Sequence, residues 1–143
     1  MSMMFVGLMA CGGGNTEATT ENQADEIPGK VEGGVNFDSP ADGATVTSPV
    51  TIKMTVAGME VEPAGMVNEG KGHHHLVIDG SFVEKGTVVP TDSTHIHFGK
   101  GQTETEVELS PGKHTLTLQF ADGIHMSYGE EWSKTIEVIV EDN

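Results

Sequence analysis

The chain has no arginine, one cysteine, few basic residues of any kind and no long apolar run, and each shortage removes a class of function. Its 143 residues carry 22 acidic side chains against 7 lysines, a formal net charge of -15. So anionic a surface repels phosphate, and because nucleic-acid affinity comes largely from Lys and Arg contacts to phosphate, nucleic-acid recognition is excluded. The same acidity favours solubility and attracts cations. With Cys11 as the only thiol there can be no intramolecular disulfide, so packing and hydrogen bonds must hold the fold. No stretch approaches the roughly 20 apolar residues that span a bilayer as a helix. The length suits one domain around one core.

What is present begins with a short apolar run, Met3-Met4-Phe5-Val6-Gly7-Leu8-Met9-Ala10, that ends at Cys11. Leu8-Met9-Ala10-Cys11 resembles a bacterial lipobox, in which a small residue precedes the cysteine that is acylated as the signal peptide is removed. Residues 1–10 are accordingly expected to be a signal peptide, short and without a Lys or Arg before Cys11, which points to a true start upstream of Met1. Residues 11–34 are polar, Gly-rich and acidic, and cannot bury enough apolar area to offset the entropy of ordering. They read as a disordered tether that would hold a domain about 25 to 30 Å from a lipid-modified Cys11. The expected location is the bacterial cell envelope, with the lipid anchor as the only membrane contact. Gly12 in place of an aspartate points, by similarity to enterobacterial sorting, to the outer rather than the inner membrane in a Gram-negative host.

From Val35 to Asn143 the hydrophobic period is two. Val50, Ile52, Met54 and Val56 alternate with Thr51, Lys53, Thr55 and Ala57. Leu116, Leu118 and Phe120 alternate with Thr117 and Gln119, and Ile136, Val138 and Val140 with Glu137 and Ile139. Such segments are strands with one buried face. Turn chemistry punctuates them at Ser39-Pro40, Asp42-Gly43, Ser48-Pro49, Asp79-Gly80, Pro111-Gly112 and Asp122-Gly123. No window has helical period with caps. The expected fold is all-β, an immunoglobulin-like antiparallel β-sandwich behind the tether. Phe37-Asp38-Ser39-Pro40-Ala41-Asp42-Gly43 resembles the start of bacterial Ig-like domains, which supports fold and not function.

All 7 histidines fall in this domain, five of them as His73, His74, His75 and His95, His97. On a strand, residues two apart share a face, so His73 with His75, and His95 with His97, each present paired imidazoles. Ile96 and Phe98 are core residues by alternation, which turns His95 and His97 to the other face. If the two strands are neighbours, the pairs converge into a site for copper or zinc, for which imidazole is the commonest protein ligand. His125, in the loop after Asp122-Gly123, and Met126 are positioned to close it, and Met59 and Met66 are softer candidates suited to cuprous ion. His74 has the parity of Leu76 and Ile78 and reads as a core residue. His114 has the parity of Leu116 and Leu118 and reads as structural.

Gly70-Lys71-Gly72-His73-His74-His75-Leu76 and His95-Ile96-His97-Phe98-Gly99-Lys100-Gly101-Gln102-Thr103-Glu104, with Pro111-Gly112-Lys113-His114-Thr115-Leu116, resemble the exported bacterial proteins of domain of unknown function 4399. The resemblance covers about Val35 to Val140, implies a small secreted or periplasmic domain and supplies no activity. An enzyme is not expected. His95-Ile96-His97 is similar to the copper-binding pair of copper/zinc superoxide dismutases, but the chain has neither an arginine to attract superoxide nor a second cysteine. A blue-copper centre needs a thiolate within the domain. No serine stands in a nucleophile elbow. Two readings remain open: a lipid-anchored copper- or zinc-binding domain, or a non-metal domain whose histidines and Gly-Lys-Gly loops meet an envelope protein or glycan.

Overall fold

The computed structural model describes residues 34–142. The expected signal peptide, Cys11 and the tether up to residue 33 lie outside the described residues. Nine strands follow in order: β1 Gly34–Ser39, β2 Ala44–Thr47, β3 Val50–Ala57, β4 Glu60–Val61, β5 Lys71–Ile78, β6 His95–His97, β7 Glu104–Val107, β8 Gly112–Ala121 and β9 Ser133–Glu141. The one helical element among the described residues is a 3₁₀ turn, Glu130–Trp132. No described helix is long and apolar enough to cross a membrane.

The fold is an all-β sandwich. One sheet has the order β1-β3-β7; the other runs β2-β9-β8-β5-β4, with β6 also on β5. Pairings are antiparallel except β2 with β9 and β4 with β5, which are parallel. The period-two segments do what their pattern dictates. Ile52 and Met54 of β3 face Leu116, Leu118 and Phe120 of β8 and Ile136, Val138 and Val140 of β9 across one core, joined by Val35, Phe37, Leu76 and Phe98. Burial of these side chains stabilises by about 1.5 to 3 kcal/mol each, the main favourable contribution to the fold.

The outer face of the larger sheet departs from simple alternation. Thr117 and Gln119, on the polar side of β8, are fully buried, and β5 is buried on both faces. The cover is the chain between β5 and β6 (residues 79–94) laid beside the chain between β8 and β9 (122–132). The two segments are joined through Gly86 N–H to Ser127 O at 2.9 Å, Ser127 N–H to Thr87 O at 2.9 Å and Val89 N–H to His125 O at 2.8 Å. Gln119 fixes this cover to the sheet, its Oε1 accepting from Val83 N–H at 2.9 Å and its Nε2 donating to Gly129 O at 3.0 Å. Thr117 Oγ1 donates to Gly80 O at 3.1 Å. Thr117 and Gln119 are tolerated beneath the cover because their hydrogen bonds are satisfied there.

Candidate metal centre

The β5 register places the histidines. β5 pairs with β6 so that His75 faces His97 and Val77 faces His95, and with β8 so that His73 faces Ala121 and His75 faces Gln119. Successive side chains of β5 point to opposite sides. His74 therefore enters the core, where its ring meets Phe120 edge-on at 5.1 Å, while His73 and His75 rise from the outer face beneath the cover. Both of the latter are fully buried; His97 and His125 are half-buried.

His97, His73, His75 and His125 form one group whose ligating nitrogens all lie within 4.8 Å of one another. His73 Nε2 is 3.1 Å from His97 Nε2 and 3.1 Å from His125 Nδ1. The ring centres are separated by 4.7 Å (His73–His75), 4.9 Å (His73–His97), 5.1 Å (His73–His125), 5.1 Å (His75–His97), 5.8 Å (His75–His125) and 4.5 Å (His97–His125). One imidazole nitrogen carries either one proton or one lone pair. His73 Nε2, with a second imidazole nitrogen on each side, thus has at best one bifurcated hydrogen bond to share. His73 Nδ1 and both ring nitrogens of His75 are buried without a hydrogen-bond partner. Such atoms ordinarily cost about 1 to 3 kcal/mol each when left unmet. A cation bound by the facing lone pairs would meet some of them at once.

The electrostatics favour the ligand form. Burial first, then the proximity of His97 and His125, pushes His73 down to about 4, with Asp122 opposing. Burial and then His73, His97 and His125 push His75 down to about 3. His97 is lowered by burial and by His125. At neutral pH these three imidazoles are uncharged, the state in which a ring nitrogen can donate a lone pair to a metal.

Local backbone features aim the two half-buried rings. A Cβ on Gly99 would overlap the His97 ring, so only glycine two residues on leaves His97 its place. His125 has φ 70, a left-handed conformation uncommon for a residue with a side chain. Asp122 holds it there: its Oδ1 accepts from Ile124 N–H and Met126 N–H, both at 2.9 Å, and its carbonyl accepts from His125 N–H at 2.9 Å. Gly123 lets this loop lie against the Met66 backbone, where a Cβ would collide.

Of the residues singled out from the sequence, His73, His75, His97 and His125 come together and His95 does not. The antiparallel register sets His95 two pairs farther along, opposite Val77, and its Nδ1 lies 2.8 Å from Asp92 Oδ1. Met126 is half-buried beside His125, with its backbone bridged to Val88. Met66 is 70% exposed, and Met59 packs on the core. His114 is structural: its Nδ1 lies 2.9 Å from Asp79 Oδ2 and its Nε2 2.8 Å from Ser110 O. Ser110 Oγ is also 3.3 Å from His114 Nε2, but that nitrogen's closer contact with the carbonyl denies it the role of base toward the hydroxyl. What sequence reasoning missed was Asp122 and Gly99, the residues that aim His125 and His97. The Asp-Gly pair read only as a turn.

The sequence family described as domain of unknown function (DUF4399) matches residues 52–141, more than half of the chain and inclusive of all four clustered histidines. No curated protein and no solved structure matches.

Proposed function

The chain belongs to the domain of unknown function 4399 family, whose description assigns no activity, and from that premise we propose that it is a lipid-anchored cell-envelope domain that binds copper or zinc through His73, His75, His97 and His125. The observation that carries the reading is the meeting of four imidazoles from three separate parts of the chain, with ligating nitrogens within 4.8 Å and two of the rings fully buried. Neutral imidazoles suit zinc and copper, whereas the carboxylate oxygens that calcium and magnesium require are missing from the group. Binding without catalysis is the reading we adopt, since the group offers four ligand nitrogens, the full set of a closed four-coordinate site. The lipobox-like Leu8-Met9-Ala10-Cys11 supports attachment to the envelope, in a Gram-negative host to the outer membrane.

The test is titration of the metal-stripped full chain with Zn(II), Cu(II) and, without oxygen, Cu(I), followed by the same titrations on His73→Ala, His97→Ala and His95→Ala. One ion per chain should bind tighter than about 1 μM, which is roughly 8 kcal/mol. His73→Ala and His97→Ala should abolish that binding and His95→Ala should leave it unchanged. Absence of stoichiometric binding, or equal dependence on His95, sinks the assignment. Cys11→Ser should move the protein from the membrane to the soluble fraction; unchanged fractionation would remove the anchor.

A further inference from the structure

The four rings define a shape as well as a donor set. With nitrogen about 2.0 to 2.1 Å from an ion, an imidazole centre falls about 3.2 Å from it, so a tetrahedral complex separates ring centres by about 5.2 Å in every pair. A square-planar complex instead needs four separations of about 4.5 Å and two of about 6.4 Å. The six observed separations run from 4.5 to 5.8 Å, and none reaches the opposite-ligand distance of a plane. His73 and His75 are neighbours on one strand and must be adjacent ligands in any complex. The opposite pairs of a plane would then be His73–His97 with His75–His125, or His73–His125 with His75–His97. Either choice requires at least one pair, now at 4.9 or 5.1 Å, to open by more than about 1 Å.

We propose that these histidines form a closed tetrahedral cage that takes zinc(II) in preference to nickel(II) and leaves no coordination position for a substrate. The inference rests on the metal-binding reading above and adds to it geometry, selectivity and role. Zinc(II) has no d-electron preference and accepts tetrahedral nitrogen, while nickel(II) favours square-planar or tetragonal arrangements. The cage resists adjustment because three of its members are fixed by packing. His73 and His75 sit on a strand buried on both faces, and His97 is paired directly opposite His75. The fourth, His125, is held by Asp122, whose carboxylate accepts from Ile124 N–H and Met126 N–H. A full set of four protein ligands is the arrangement of storage, transfer or structural sites; catalytic zinc keeps three and an open fourth position.

The experiment is loading of the stripped full chain with Co(II) as a spectroscopic stand-in for zinc, with azide added afterwards. A second arm sets Zn(II) against an equal concentration of Ni(II). The expected result is an intense four-coordinate visible spectrum that azide does not change, and retention of zinc over nickel by more than about tenfold. His125→Ala should still bind cobalt, at least about 100-fold more weakly, beyond what loss of an outer-shell partner costs. Its spectrum should now respond to azide, because a position has opened. A weak six-coordinate spectrum, an azide response in the unaltered chain, or displacement of zinc by nickel would overturn the cage while leaving one-to-one binding, and the metal-binding reading, standing. No stoichiometric uptake of any ion would overturn both.

Discussion

Replacing His74 by leucine should make the domain more stable, and more so in acid. His74 is fully buried against Phe120, and neither ring nitrogen has a hydrogen-bond partner. An unmet buried polar group costs about 1 to 3 kcal/mol, whereas leucine fills a similar volume without one. Against that gain stands the edge-on contact with Phe120, worth about 0.5 to 1.5 kcal/mol. The midpoints leave a net stabilisation of about 1 kcal/mol at pH 7, or roughly 4 to 8 °C in Tm for a domain near 110 residues. Acid adds a second effect. Burial lowers His74 from 6.5 to about 4, so between those values the unfolded chain takes up a proton that the folded chain refuses. The wild type therefore loses stability as pH falls from 6.5 to 4, by on the order of 3 kcal/mol from this residue, and the loss levels off below. Urea unfolding of both proteins in chelator at pH 7.0 and pH 4.5 reads the difference, and chelation removes any contribution from bound metal. A leucine variant that is less stable at pH 7, or a gap between the two proteins that does not widen in acid, would refute the placement of a neutral, unpartnered imidazole in the core.

Three further outcomes follow from single residues. Gly99→Ala should lower metal affinity by more than about tenfold, as loss of correct ligand orientation does, while the metal-free Tm stays within about 3 °C. The clash is with the His97 ring and not with backbone, so titration beside thermal melting separates the two effects. Asp122→Ala should untie the His125 loop and weaken binding about 10- to 100-fold, with Asp122→Asn restoring part of it because the amide oxygen can still accept from Ile124 and Met126. The His114–Asp79 pair should make its largest contribution to stability in mildly acidic solution. Although burial acts to lower His114, Asp79 and the Ser110 carbonyl hold it raised, so its contribution is present below 6.5 and fades as pH rises through the folded value. Asp79 is lowered by the Thr115 N–H and His114, against burial, so its contribution fades as pH falls through its folded value. A pH series of melts for His114→Asn against wild type should show the gap narrowing at both extremes; a flat gap would contradict the pair.

The strands that form the core were legible in the sequence because each carries its period on one face: Ile52 and Met54, Leu116 and Leu118, Ile136 and Val138. Thr117 and Gln119 were not legible as buried residues. Their burial comes from two loops crossing the sheet, which alternation along a strand does not encode. Spacing brought out His73, His75 and His97 as candidates, since two-residue spacing on a strand dictates a shared face. It did not separate His95 from His97, because membership of the group is set by the register between β5 and β6, and register is a property of pairing, not of either strand. A slip of two residues would have exchanged His95 for His97. His125 was legible only as a nearby loop residue; its orientation depends on the left-handed backbone that Asp122 stabilises.

The central claim is that one ion sits among these four imidazoles. X-ray absorption at the zinc edge of the zinc-loaded full chain tests it most directly. The account predicts a first shell of four nitrogens at about 2.0 Å with the outer-shell scattering of histidine rings, and loss of one of the four in His125→Ala. A shell dominated by oxygen, a coordination number near six, or a spectrum unchanged by His97→Ala would contradict it.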